Sequence, residues 1–104
     1  MNKYYNDQGH VGVLLSSGWC VGWSTWNPQY PDMLFDKDII ELVLGNATYD
    51  QIMDVAKKKW PDAYLAGVDG LHVMFLKPGT AFMVQENAGS EYVVIRDEQN
   101  WEIA

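Results

Sequence analysis

The chain has 104 residues, 14 acidic against 7 basic side chains for a formal charge of −7, and 48% apolar residues. That length suits one hydrophobic core and a single domain over 1–104. The lack of any apolar run of about 18 residues excludes a membrane-spanning helix, and the acidic balance argues against a direct nucleic-acid binder, which needs clustered lysine and arginine.

Residues 1–9 are polar, carry Tyr4 and Tyr5, and are expected to be a loosely ordered lead-in without an apolar signal core. The single cysteine, Cys20, cannot close an internal disulfide, so a cytoplasmic location is expected, the host cytoplasm if the gene is phage-encoded. His10 to Ser16 reads as a strand. Val11, Val13, Leu14 and Leu15 leave it no polar face, which predicts a central strand covered on both sides. From Gly18 to Leu34 no periodicity holds, and Asn27, Pro28, Pro31 and Asp32 are turn formers, so a long structured loop is predicted.

Helical signals follow. Asp36 is an N-cap, Ile39, Ile40 and Val43 form an apolar stripe, and Gly45 is placed to end the helix in a left-handed conformation. Thr48-Tyr49-Asp50-Gln51 is a capping box opening a second helix that runs to about Trp60. Ile52, Val55 and Ala56 lie on its inner face, Lys57, Lys58 and Lys59 at its negative end, and Pro61 beyond it. Strands fill the remainder: Asp62–Gly67 extended, a turn at Asp69-Gly70, then Leu71–Leu76. Pro78-Gly79 should return Ala81–Glu86 antiparallel to Leu71–Leu76. Asn87–Ser90 is another turn, Glu91–Arg96 a strand, and 100–103 a short edge strand. The fold class is α+β, a mainly antiparallel sheet with two short helices, about 36–44 and 49–60, packed on one side.

The dense feature is Gly18-Trp19-Cys20-Val21-Gly22-Trp23-Ser24-Thr25-Trp26-Asn27-Pro28, which holds three of the five tryptophans within eight residues. Familiar chemistries do not fit it. Cys20 has no base at a recognisable spacing, Ser24 and Thr25 lack the Gly-x-Ser-x-Gly elbow, and Gly18-x-x-x-Gly22 lacks the lysine of a phosphate loop. His10 and His72 stand far apart without acidic or cysteine partners at ligand spacing, so neither a metal nor another cofactor is expected. Two roles remain for Trp19, Trp23 and Trp26: a lid that fills the core, or a platform that stacks a flat ligand. In the second, Ser24, Thr25 and Asn27 supply hydrogen bonds, Gly18 and Gly22 permit close backbone approach, and Tyr64, Asp69 or Lys77 assist.

The segment Val13–Trp26, together with Tyr64–Leu71 and Ile95–Trp101, resembles a family of small phage and bacterial proteins to which no activity is attached. In that family a strand runs into Gly-aromatic-Gly-Ala-Gly-Trp-Ser-Thr-Trp and a hairpin follows late; here Cys20-Val21 stands in place of Gly-Ala. The resemblance implies a small accessory or counter-defence protein. Two functions are therefore expected, neither enzymatic. The first is binding of a small planar, nucleotide-like ligand by the tryptophan loop. The alternative is an acidic, anti-CRISPR-like inhibitor that engages a basic host protein such as a nuclease through Asp36, Asp38, Glu91, Asp97 and Glu98. Edge strands and surplus aromatics would allow a homodimer.

Overall fold

The computed structural model describes residues 2–19 and 21–96. Strand β1, Val11–Ser16, is buried at all six positions and pairs antiparallel with β2, Leu71–Leu76, setting Val11 opposite Leu76 and Ser16 opposite Leu71. Alternate amides of an antiparallel strand point to opposite edges. Those of Gly12 and Ser16 point away from β2, and neither meets a third strand. Gly12 donates to the Tyr4 carbonyl at 2.9 Å and Ser16 to the Glu91 carboxylate at 2.9 Å. The expected central strand is thus covered on both faces but has one ladder partner. Its other edge is closed by the folded-back lead-in, through an isolated Tyr5–Val11 bridge, and by one side chain.

Strands β3, Phe82–Asn87, and β4, Ser90–Ile95, form a second two-stranded antiparallel sheet. This corrects the expected pairing of Ala81–Glu86 with Leu71–Leu76. The turn at Pro78-Gly79 does form, with Gly79 at φ +83° and Thr80 N–H donating to Lys77 carbonyl at 3.1 Å. β2 is paired instead with β1, and after this turn the chain passes into a second sheet. The tight hairpin lies one turn later, where Ala88 (φ +52°) and Gly89 (φ +91°) join Asn87 to Ser90. Asp62–Gly67 is not a strand: a 3-10 turn at Ala66–Gly70 leads directly into β2, so Asp69-Gly70 is no hairpin turn. The edge strand expected at 100–103 lies outside the described residues.

Helices α1, Lys37–Leu44, and α2, Tyr49–Lys59, form where their caps predict. Asp36 Oδ2 accepts from Ile39 N–H at 3.1 Å, and the capping box closes both ways, Gln51 N–H to Thr48 Oγ1 at 3.2 Å and Thr48 N–H to Gln51 Oε1 at 2.9 Å. The end of α1 differs from expectation by one residue. Gly45 keeps φ −84°, and Asn46 takes the left-handed position at φ +58°, with Ala47 N–H bonding Leu42 carbonyl and Asn46 N–H bonding Val43 carbonyl.

These elements make three layers. α1 covers the face of the first sheet that carries Gly12, where an added Cβ would touch Ile40, Val73 and Phe75. On the opposite face Val11 and Val13 share a small space with Phe35 and Phe82 of the second sheet's side. The main core joins Leu14, Ile39, Ile40, Ile52, Ala56 and Trp60 with Trp23 and Met33 from the long loop. The described helices include none long and apolar enough to cross a membrane.

Candidate functional site

The tryptophan loop leaves β1 and turns twice, through 3-10 turns at Ser24–Trp26 and Pro31–Phe35. Glu91 of β4 organises the first. The residue is 5% exposed; one carboxylate oxygen accepts from Ser16 N–H, and the other accepts from Trp23 N–H and Thr25 N–H, both at 3.0 Å, and from Thr25 Oγ1 at 2.6 Å. A carboxylate is acceptor-only, and four donors converging from the strand end and the loop meet its lone pairs. Glu91 is therefore no surface contact for a basic partner; it ties the second sheet to the loop.

Asn27 ties the loop to the chain ahead of β2. Its amide donates to the Trp23 and Tyr64 carbonyls, each at 2.8 Å, and accepts from Tyr64 N–H at 2.7 Å, so it carries the ladder-like bonds of the irregular 62–65 segment. Trp23 is fully buried, with Nε1 donating to Met33 carbonyl at 2.8 Å and its ring edge-on to Trp60 at 5.7 Å. Trp26 lies against Tyr64 with ring centroids 5.0 Å apart, and Gly22 has no Cβ because the Trp26 indole occupies that space. Gly18 packs against Val21 and Gly70. Asp69 is exposed in the 3-10 turn before β2, and Cys20 lies outside the described residues. The two roles weighed for the tryptophans divide among them: Trp23 fills the core, while Trp19 is 79% exposed.

Among the described residues, no cavity found gathers the ten candidate residues. Of them, only Ser24 and Thr25 line an open groove of about 430 Å³ on the outer side of the loop. Its far side comes from β3 at Phe82, Met83 and Val84, and its floor from Pro28, Pro31, Leu34 and Phe35. The Phe35 and Phe82 rings meet edge-on at 6.2 Å, and Met83 is 55% exposed. Sequence reasoning missed this wall because Phe82 and Val84 read as ordinary strand residues. It also read Glu91 as surface charge. A signal for Glu91 existed, since it shares strand parity with Val93 and Ile95 and so belongs to the inward face.

A second hollow, about 300 Å³, lies where the two helices meet, with Asp32, Asp36, Asp38 and Lys59 around it. Lys59 Nζ reaches Asp38 at 2.8 Å and Asp36 at 3.3 Å, and its hydrogen bond to Asp38, reinforced by Asp36 against a desolvation penalty, pushes the ammonium pKa above its usual value. Nearby, Tyr30 donates its hydroxyl to Asp62, which raises the phenol pKa because the anionic form would lose that bond and face the carboxylate. Among the described residues no group of three or more His, Cys, Asp or Glu side chains is placed to hold a metal ion. Comparison of the chain with protein-family models, with curated proteins and with solved structures finds no match, so the geometry of the groove and loop carries the functional reading.

Proposed function

We propose that this protein is a non-enzymatic protein-binding module that takes apolar side chains of a partner into the groove between the tryptophan loop and β3. The observation that carries this reading is the groove's lining. Seven of its nine residues are Pro28, Pro31, Leu34, Phe35, Phe82, Met83 and Val84, and the surface is open rather than enclosed. Exposed apolar surface of that kind, rimmed by polar residues, favours association with another macromolecule. The polar groups expected to grip a small ligand are engaged within the fold, Thr25 with Glu91 and Asn27 with Trp23 and Tyr64. The charge of −7 steers a basic partner. The resemblance of Val13–Trp26 to small phage and bacterial proteins supports a cytoplasmic accessory of counter-defence type, with a basic host protein such as a nuclease as its target.

The planar-ligand reading keeps one observation in its favour. The groove volume falls in the range of small-molecule sites, about 300–1,000 Å³, and Ser24 stands at its edge. Native mass spectrometry of the protein purified from the cells that make it separates the two. A retained protein partner, lost in Met83→Glu, is the expected result. A retained small molecule, or a bare chain in repeated preparations, overturns the protein-binding reading.

A further inference from the structure

Resting on the reading of this groove as a protein-binding surface, we propose that the partner enters as an extended segment that adds a strand to the edge of β3 that faces away from β4. Arg96 N–H donates to the Ala81 carbonyl at 3.0 Å, which makes that pair hydrogen-bonded and fixes the alternation along the ladder that runs from Phe82 opposite Ile95 to Asn87 opposite Ser90. The peptide groups of Met83 and Gln85 then face β4, and those of Phe82 and Val84 face outward. Among the described residues no backbone group takes up these outward groups.

The groove is lined by this same stretch, so two independent features coincide: ladder groups at Phe82 and Val84 that no described backbone group takes up, and an apolar floor at Pro31, Leu34 and Phe35 beside them. Strand edges are normally protected by charge, proline, or a covering element. Phe82 to Gln85 carries no charge and no proline. An incoming strand would bond Phe82 and Val84 through its main chain and direct every second side chain onto Leu34 and Phe35, the mode in which backbone supplies affinity and alternate pockets supply selectivity. A helix cannot satisfy the edge, because its own backbone groups are already paired.

Charge selects the occupant. A second copy would bring another −7 to the interface and set its own Glu86 near this edge, where Glu86 is already exposed. A segment of another protein with apolar residues at alternate positions and lysine or arginine at its flanks is attracted instead.

The probe is a displayed library of random peptides about ten residues long, enough for one strand with flanks. Recovered peptides should alternate apolar residues and carry basic flanks, and NMR titration of the whole protein should shift and slow the exchange of the Phe82 and Val84 amides. Methylating the peptide's alternate backbone nitrogens should weaken binding by about tenfold or more, the loss expected for one or two hydrogen bonds. Val84→Pro should do likewise, since proline at an outward edge position leaves the β3–β4 ladder intact; a spectrum that matches wild type elsewhere certifies the fold, and the methylated peptides need no variant at all. Equal binding of the methylated peptides overturns strand addition while leaving the groove as a binding site. Recovery of peptides patterned at helical spacing, recovery of none, or self-association blocked by Val84→Pro also overturns it.

Discussion

Glu91 and the two tryptophans Trp19 and Trp23 show how little residue type alone decides. Glu91 is buried, and its four donors come from Ser16, Trp23 and Thr25. Glu91→Gln would turn an acceptor-only group into one whose NH₂ faces at least one donor, leaving buried N–H groups unpaired. A cost of about 2 kcal/mol or more is expected, read as a lower urea midpoint at unchanged slope; a midpoint shift worth under about 0.5 kcal/mol would show the network to be dispensable. Trp23→Ala removes a fully buried ring and its bond to Met33, which predicts a loss of about 3–5 kcal/mol, a large share of the stability of a domain this size. Trp19→Ala, at 79% exposure, should change stability by no more than about 0.5 kcal/mol. Comparable losses from both tryptophans in thermal melts would contradict the division of the loop into a core ring and a presented ring. The sequence could not sort Trp19 from Trp23, because both sit in an aperiodic loop where no strand or helix parity assigns an inner face.

At the scale of elements, what was legible was local. The Asp36 cap, the Thr48–Gln51 capping box and the lysine run of α2 depend on neighbours within a turn, and all are present. Strand partnership was not legible, because β1 meets β2 across more than fifty intervening residues, and the turn at Pro78-Gly79 has equally good chemistry whether or not its flanking strands pair. Two elements carry predictions. The β3–β4 turn holds Ala88 at φ +52°, a left-handed conformation that costs a residue with a Cβ about 1 kcal/mol or more. Ala88→Asn matches the Asn-Gly preference of such turns, and a gain of about 0.5–1 kcal/mol in urea unfolding is expected; a destabilised variant would show that the turn is not of this type. Lys59 joins the end of α2 to the start of α1 through Asp36 and Asp38. Its pKa is raised in the fold above the usual 10.5, so its contribution is complete below the unfolded value and is lost as pH rises through the folded one. The stability difference between wild type and Lys59→Met should stay level from neutral pH to about 10 and shrink above it, with Tyr30 cancelling because both proteins retain its bond to Asp62. A difference that falls between pH 6 and 8 would place the effect elsewhere.

At the scale of the molecule, the described residues form two small sheets that share no ladder. The first belongs to the helical core, while the second is attached through the Glu91 carboxylate, through the contact of Phe35 with Phe82, and at the hairpin tip, where Gly89 lies so close to the Val21 backbone that a Cβ could not be placed. No residue of β3 or β4 belongs to the main core cluster, which predicts unequal stability. In native-state hydrogen exchange, the β1 amides that face β2 should open only with global unfolding, whereas the β3 and β4 ladder amides should exchange through a cheaper opening that leaves the first sheet intact. Gly89→Ala tests the coupling, because it adds strain at φ +91° and a clash with Val21 without touching the ladder itself. It should lower the opening free energy of the second sheet more than that of β1, widening the gap between the two sets of amides. Equal losses at both sheets would mean that the hairpin and the core unfold as one unit, and the groove, which lies between them, would then be as rigid as the core rather than adjustable to an incoming strand.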